Sequence, residues 1–224
     1  MTTVARLTWK ALSAPWQSCV AEAWDAYREG SVPIGAVAFD SDGSVVATGR
    51  NRRSTHDGVD AEAHGNPLAH AELNALLAAS AERRDLRGCS LYMTMEPCPL
   101  CTGALAMAHV GLVAFAARDL WAGSLDLLEA SAFLRSRQIC VVGPGDNRLE
   151  EVMLAMNVDF WLRQTTPAAR QLVELWRVAF PAAVELGERL HASGALEAAA
   201  REAWPAQDLL TLFDANDAAR RSVA

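Results

Sequence analysis

Helix and strand patterns alternate regularly over residues 66–163, and this alternation constrains the fold more than any other feature of the sequence. Short apolar runs are typical of buried strands, whereas apolar residues spaced three and four apart are typical of helices. The pattern predicts strands over 90–95, 111–116 and 139–142, and helices over 67–83, 98–109, 125–134 and 149–163. Such alternation predicts a sheet with parallel strands covered by helices, which is an α/β fold.

The segments on either side of this region complete the predicted organisation. Apolar residues at helical spacing predict a helix over 15–29, and a hairpin with strands over 34–39 and 44–49 follows. After Pro167, alanine, leucine and glutamate predominate, and they predict a long helix to about residue 191 and shorter helices over 194–203 and 206–218. We therefore expect an α/β domain over 1–163 and a helical extension over 164–224.

Composition and charge narrow the class of protein. The chain has 224 residues, of which 51% are hydrophobic, and its formal net charge is −7. Its Lys and Arg residues are scattered rather than clustered, which argues against a polyanionic partner. Residues 1–17 lack an apolar run long enough for a signal peptide, and the most apolar stretch, over 104–117, is too short to span a bilayer. The sequence predicts a cytoplasmic globular protein without membrane contact.

One histidine and two cysteines have the spacing of a metal site. His70 precedes Cys98 by 28 positions, and Cys98 and Cys101 form a Cys-x-x-Cys pair in a chain with five cysteines. In a chain without a secretion signal, such a pair indicates metal binding or redox chemistry rather than a disulfide framework. One imidazole and two thiolates suit tetrahedral Zn²⁺ with its fourth position open, as in catalytic sites. A structural zinc clip and a redox pair are the alternatives.

Glu72 is the predicted catalytic group beside this metal site. Asn66 followed by Pro67 is typical of a helix start. The helix predicted from there carries His70 and Glu72 in its opening turns. Residues two apart on a helix do not share a face, so these two side chains can converge only near the helix tip. Zinc lowers the pKa of a bound water to about 7, and the carboxylate of Glu72 can accept the proton that this water loses.

Five sequence blocks carry a family resemblance, and they lie at 32–37, 49–51, 66–72, 95–104 and, in two short stretches, 117–119 and 122–124. In this order they resemble the cytidine deaminase superfamily, and most of all its branch containing the bacterial tRNA adenosine deaminases and guanine deaminases. The resemblance implies a cytidine deaminase-like three-layer α/β/α sandwich with a mixed five-stranded sheet. It further implies a zinc-dependent deaminase domain over 1–163 and a homodimer.

Asn51 and Trp121 are the predicted substrate contacts. The resemblance implies that Asn51 hydrogen-bonds the base, and a simple turn cap is the alternative. Trp121 occupies the position of the family's substrate loop and could stack on a base, although a buried anchoring role is equally compatible with the sequence. The polar stretch over 50–65 is predicted to be a long loop, in which His56, Asp57 and His64 either are solvated or gate substrate entry.

The predicted reaction is hydrolytic removal of an exocyclic amino group with release of ammonia. The predicted substrate is a free nucleobase or nucleoside, with purines favoured. Three features favour a small molecule over tRNA: the chain is acidic, it carries a helical tail, and only Leu120 and Trp121 stand between the last two short blocks. Deamination of adenosine to inosine in tRNA is the alternative. A third hypothesis is an inactive zinc-binding protein that uses its tail to bind a partner, but the presence of Glu72 favours activity.

Overall fold

The computed structural model describes residues 7–55, 63–82 and 85–221. Its strands are β1 Gly35–Phe39, β2 Val45–Arg50, β3 Ser90–Met95, β4 Leu112–Ala117 and β5 Cys140–Val142. They form one sheet in the order β2-β1-β3-β4-β5. β1 pairs antiparallel with β2 and β3, whereas β4 is parallel to both β3 and β5. The predicted mixed five-stranded sheet is confirmed.

Helices precede, connect and follow these strands. They are α1 Ala14–Arg28, α2 Ala71–Glu82, α3 Pro99–Ala108, α4 Ala132–Arg135, α5 Asn147–Arg163, α6 Pro167–Ala179, α7 Pro181–Ser193, α8 Ala195–Arg201 and α9 Ala206–Arg221. None of the helices in the described part of the chain has the length and apolar character needed to cross a membrane.

The sheet lies between two helical layers. Successive side chains of a strand point to opposite faces, so each strand can serve both layers. On one face, Ala36 and Leu91 pack against side chains of α2 and α3. On the other face, Val37 packs with Cys19 of α1, and Ala116 joins the cluster formed by α1 and α5. This arrangement confirms the three-layer α/β/α sandwich.

Helix α2 starts at Ala71, four residues later than the sequence predicts. The Asn66 Oδ1 atom accepts a hydrogen bond from the Leu68 N–H at 2.8 Å, so this asparagine closes a local turn instead of capping the helix. His70 consequently lies just before the helix rather than within it. Glu72 keeps its predicted place in the first turn.

Two other predicted helices are divided in the structure. The predicted helix over 125–134 is a 3₁₀ turn over Leu125–Glu129 followed by α4, because the Ser131 side chain caps a new helix start. The predicted helix over 167–191 is broken at Phe180, between α6 and α7. The following Pro181 has no N–H to donate, and it disfavours helical backbone in the residue before it.

Gly49 of β2 allows α2 to approach the sheet closely. A Cβ atom at this position would lie 2.3 Å from the Ala75 nitrogen and 2.4 Å from the Ala71 oxygen, and both are backbone atoms. A larger residue would therefore displace the helix. Since α2 begins next to His70 and carries Glu72, this close approach fixes where both side chains lie relative to the sheet.

The C-terminal helices pack on the layer formed by α1 and α5. Side chains of α6, α7, α8 and α9 belong to the same hydrophobic cluster as α1 and α5, including the fully buried Trp24, Met153 and Trp176. The Trp24 Nε1 atom also donates to the Trp204 carbonyl at 2.8 Å, which ties α1 to the segment before α9. The predicted helical extension is therefore present and packs against the α/β core.

Asp159 of α5 is a buried charge within a small ion-pair network. Its carboxylate accepts hydrogen bonds from Arg163 Nε and Nη2, both at 2.9 Å, and another from the Tyr27 hydroxyl. Neutralising one member of a buried pair leaves the other charge uncompensated. We expect Asp159→Asn to lower the free energy of unfolding by about 2 to 3 kcal/mol in urea titrations, because Arg163 keeps some solvent contact.

An exposed ion pair supplies the control for this prediction. Glu174 pairs with Arg177 at 3.1 Å on the surface of α6. Glu174→Gln should cost less than about 1 kcal/mol, since exposed pairs contribute little. Equal losses in the two variants would contradict the special role of Asp159.

Candidate active site

The three predicted metal ligands converge in the structure. The His70 Nδ1 atom lies 3.5 Å from Cys98 Sγ and 3.5 Å from Cys101 Sγ, and the two sulfur atoms are 3.6 Å apart. Around tetrahedral zinc, bonds of about 2.3 Å to sulfur and about 2.0 Å to nitrogen place ligand atoms roughly 3.5 to 3.8 Å apart. The three side chains therefore fit one face of a zinc tetrahedron and leave the fourth position free.

Each ligand lies at a helix start. His70 immediately precedes α2, Cys98 is the N-cap residue of α3, and Cys101 lies in the first turn of α3. A hydrogen bond from the Cys101 side chain, the nearby His70 and the helix N-terminus favour the thiolate, and the pKa of Cys98 is lowered to about 4. The pKa of Cys101 is raised, mainly by its hydrogen bond to Cys98 and then by burial. The pair thus carries negative charge, as metal ligands require.

Glu72 lies beside this ligand set in the first turn of α2. Its side chain is 4% exposed, and burial raises the pKa of its carboxyl above the ordinary value. The nearby His70 and Cys101 oppose this rise in pKa, because both favour the ionised carboxylate. A buried carboxyl at this place can both accept and return a proton at a reacting group in the cavity.

The site opens into a cavity of about 360 Å³. Five of the six predicted site residues line it, namely Asn51, His70, Glu72, Cys98 and Trp121. The sixth, Cys101, is buried next to them. The Trp121 side chain is 74% exposed, so it lies at the rim and is not the buried anchor that the sequence also allowed. A cavity of this size is typical of sites for small molecules.

Asn51 is buried, and its orientation is fixed by two hydrogen bonds. The Oδ1 atom accepts from Ser31 Oγ at 2.8 Å and from the Arg53 N–H at 3.2 Å. The hydrogen bond from Arg53 shows that Asn51 also caps a turn, which is the alternative role that its sequence context allowed. Among the described residues the Nδ2 group has no acceptor, so it remains available to donate to a molecule in the cavity.

Helices α5 and α6 form a wall of the cavity that the sequence did not predict. Asn157 and Trp161 come from α5, and Gln171, Leu172 and Trp176 come from α6. The segment after residue 163 carries no cluster of His, Cys or acidic residues that would have indicated this role. Its part in the site arises from tertiary packing.

Two acidic side chains also line the cavity. The Asp119 carboxylate accepts from the N–H groups of Trp121 at 2.9 Å and Ala122 at 3.2 Å, so it holds the turn that carries the indole. Glu96 in turn accepts from the Asp119 N–H at 3.3 Å. Burial raises the pKa of both carboxyls. Both residues lie in blocks that carry the family resemblance, Asp119 in the stretch 117–119 and Glu96 in the block 95–104.

Part of the predicted loop over 50–65 can be described. Asn74 of α2 accepts from the Ala63 N–H and donates to the Ala63 carbonyl, which ties the end of the loop to the helix. His64 lies in this described part. His56 and Asp57 lie outside the described residues, so the choice between solvated side chains and a gating role stays open for them.

Comparison with known proteins identifies the family. Residues 11–117 match the family described as the cytidine and deoxycytidylate deaminase zinc-binding region. The tRNA-specific adenosine deaminase of Bacillus subtilis is 33% identical over 131 residues, which cover 55% of this chain and 74% of that protein. The chain therefore belongs to the cytidine and deoxycytidylate deaminase family, and the predicted resemblance is confirmed. Zinc as the cofactor agrees with the geometry of His70, Cys98 and Cys101.

Other relatives overlap the chain to different extents. The tRNA(Ile)-lysidine synthase of Deinococcus radiodurans is 38% identical over 116 residues, which are 51% of this chain and 19% of that protein. The chain thus spans less than a fifth of the length of the lysidine synthases that it matches. A protein solved in complex with 2,6-diaminopurine has a TM-score of 0.50 and 25% identity, covering 70% of this chain and 85% of its own.

Proposed function

We propose that the chain is a zinc-dependent hydrolytic deaminase that removes an exocyclic amino group from a free nucleobase or nucleoside, preferably a purine. The observation that carries this proposal is the triangle of His70, Cys98 and Cys101 with Glu72 beside it in a small cavity. Three ligands with an open fourth position are typical of catalytic zinc, whereas structural zinc has four protein ligands.

Glu72 is the proposed proton carrier of the reaction. Zinc bound by these three ligands supplies an activated water by lowering its pKa. The Glu72 carboxylate would take one proton from the attacking water and deliver it to a ring nitrogen. It would then take the second proton from the hydroxyl group added to the ring carbon and pass it to the amino group, which leaves as ammonia as the C–N bond breaks. The net change replaces a C–NH₂ group by a C=O group and consumes one water. Asn51 would hold the base by donating from Nδ2.

The walls of the cavity support a small planar substrate. Trp121 lies at the rim, and Trp161 and Trp176 contribute aromatic surface from α5 and α6. A volume of about 360 Å³ accommodates a base or a nucleoside. The net charge of −7 disfavours a polyanionic substrate. The proposed organisation is a deaminase domain over 1–163 and an extension over 164–224 that helps to enclose the substrate.

Deamination of adenosine in tRNA is the second candidate function. The relative from Bacillus subtilis is named a tRNA-specific adenosine deaminase, and it is similar over most of its length. Arg53 also lines the cavity and is exposed, which would suit a phosphate contact. For this function, the cavity walls formed by α5 and α6 would have to leave room for an adenosine that is still part of the tRNA chain.

A substrate panel tests the proposal. The zinc-loaded protein is assayed for ammonia release with guanine, adenine, cytosine, their nucleosides and a tRNA anticodon stem-loop. We expect turnover of a free purine or its nucleoside. Inosine formed in the stem-loop, with binding that weakens steeply as salt increases, would establish the tRNA function instead. Full zinc occupancy without ammonia release from any substrate would contradict both.

The homodimer implied by the resemblance and the cytoplasmic location stay predictions. Analytical ultracentrifugation of the purified protein checks the first, and fractionation of cells checks the second.

A further inference from the structure

Asn157 of α5 is a buried amide with an unused acceptor. Its side chain is 1% exposed, yet it lines the cavity. The Nδ2 group donates to the Met153 carbonyl at 3.0 Å and to the Pro33 carbonyl at 3.4 Å. Both N–H bonds are thereby used, and the reversed amide orientation would bring an oxygen against two carbonyls. In the described part of the chain nothing donates to Oδ1. Because Asn157 lines the cavity, this oxygen is available to accept a hydrogen bond from a molecule bound there.

Asn157 and Asn51 are held on one short segment. Asn157 Nδ2 donates to the Pro33 carbonyl, and the Asn51 backbone N–H donates to the next carbonyl, that of Ile34, at 3.0 Å. Both residues also line the same cavity. Asn51 has a free donor there, and Asn157 has a free acceptor. The cavity lining thus offers one amide donor and one amide acceptor to a heterocycle.

We propose that Asn157 is a specificity-determining residue whose Oδ1 atom accepts a hydrogen bond from a ring N–H of the substrate base. The inference rests on the proposed function and names its substrate class: a free purine that keeps an N–H group on its rings, such as guanine. The adenine ring within an RNA chain has no ring N–H, because three of its ring nitrogens are acceptors and the fourth carries the ribose. Asn157 would therefore favour a free purine base over adenosine in tRNA.

Methylated bases test this assignment. Guanine, 1-methylguanine, 7-methylguanine and 9-methylguanine are compared as substrates, because each methyl group occupies a different ring nitrogen. We expect the wild-type protein to discriminate against one of these methylations by at least about 100-fold in kcat/KM, since the buried acceptor would then stay unpaired. In Asn157→Leu, kcat/KM for guanine should fall about tenfold, and the discrimination against that one methylated base should shrink.

The chain offers a matched control on the same helix. Asn147 begins α5, is exposed and does not line the cavity, so Asn147→Leu makes the same chemical change outside the site. It should leave all four substrates unchanged. Zinc content and thermal unfolding of both variants show whether they are folded. An equal loss of kcat/KM for all four bases in Asn157→Leu would indicate a merely structural role and overturn the assignment, and so would no change at all.

Binding separates this inference from the proposed function. Calorimetry with the same four bases is carried out on Glu72→Ala, with and without Asn157→Leu, so that no turnover interferes. If the wild-type protein releases no ammonia but the Asn157-dependent discrimination appears in binding, the inference stands and the proposed function fails. If guanine is deaminated but the discrimination does not depend on Asn157, the function stands and the inference fails. Binding of none of the four bases overturns the inference.

Discussion

Glu72→Gln is expected to lower kcat for deamination by about 10² to 10⁴-fold while the protein keeps its zinc, because proton transfer by a positioned side chain contributes an acceleration of that order. Glutamine matches glutamate in shape, so the buried surroundings of residue 72 should not collapse. It cannot take a proton from the attacking water or return one to the leaving amino group. Ammonia release and zinc content are measured on the same preparation.

Glu82 supplies the control for this substitution. It also belongs to α2 but is exposed and does not line the cavity, so Glu82→Gln should retain full activity. If Glu72→Gln retained more than about a tenth of the wild-type kcat, this carboxyl could not be the proton carrier. Loss of zinc in parallel with activity would instead make Glu72 a residue that supports the metal site.

The sheet and the ligand set were predictable because they depend on local patterns. β3 begins and ends where the apolar run predicts, and the spacing of His70, Cys98 and Cys101 reports a metal site without knowledge of the fold. The start of α2 was predicted wrongly, since Asn66 and Pro67 suit both a helix start and the local turn that the structure adopts. Only the neighbouring backbone decides between these two uses.

The wall formed by α5 and α6 could not be predicted in the same way. The sequence predicts Trp176 to be an ordinary core residue of an amphipathic helix, and it is buried in the structure. Its contact with the cavity depends on how α6 packs, which the sequence pattern does not specify. Asn157, in contrast, is recognisable in the sequence as an unusual residue. It stands with Asp159 in the otherwise apolar stretch over 152–160, and a polar side chain at a buried helical position needs a specific partner. For Asp159 that partner is Arg163, whereas Asn157 keeps a free acceptor beside the cavity.

Cys98→Ser is expected to abolish zinc retention and, with it, all deaminase activity. Loss of a group that merely orients a metal ligand already lowers metal affinity about 10 to 100-fold, so loss of a ligand thiolate should exceed about 100-fold. The hydroxyl of serine is not deprotonated at neutral pH and cannot replace the thiolate, whose pKa is already lowered to about 4 beside Cys101 and His70. Zinc affinity is measured by competition with a chromophoric chelator.

The exposed Cys140 of β5 gives the matched control, because Cys140→Ser makes the same change away from the ligand set. It should keep one zinc per chain and full activity. Chelator treatment of the wild-type protein should reproduce the inactivity of Cys98→Ser. Added zinc should then restore activity to the wild-type protein but not to Cys98→Ser, which lacks one ligand. A Cys98→Ser protein that bound zinc as tightly as Cys140→Ser would rule out Cys98 as a ligand and leave His70 and Cys101 too few to hold the metal.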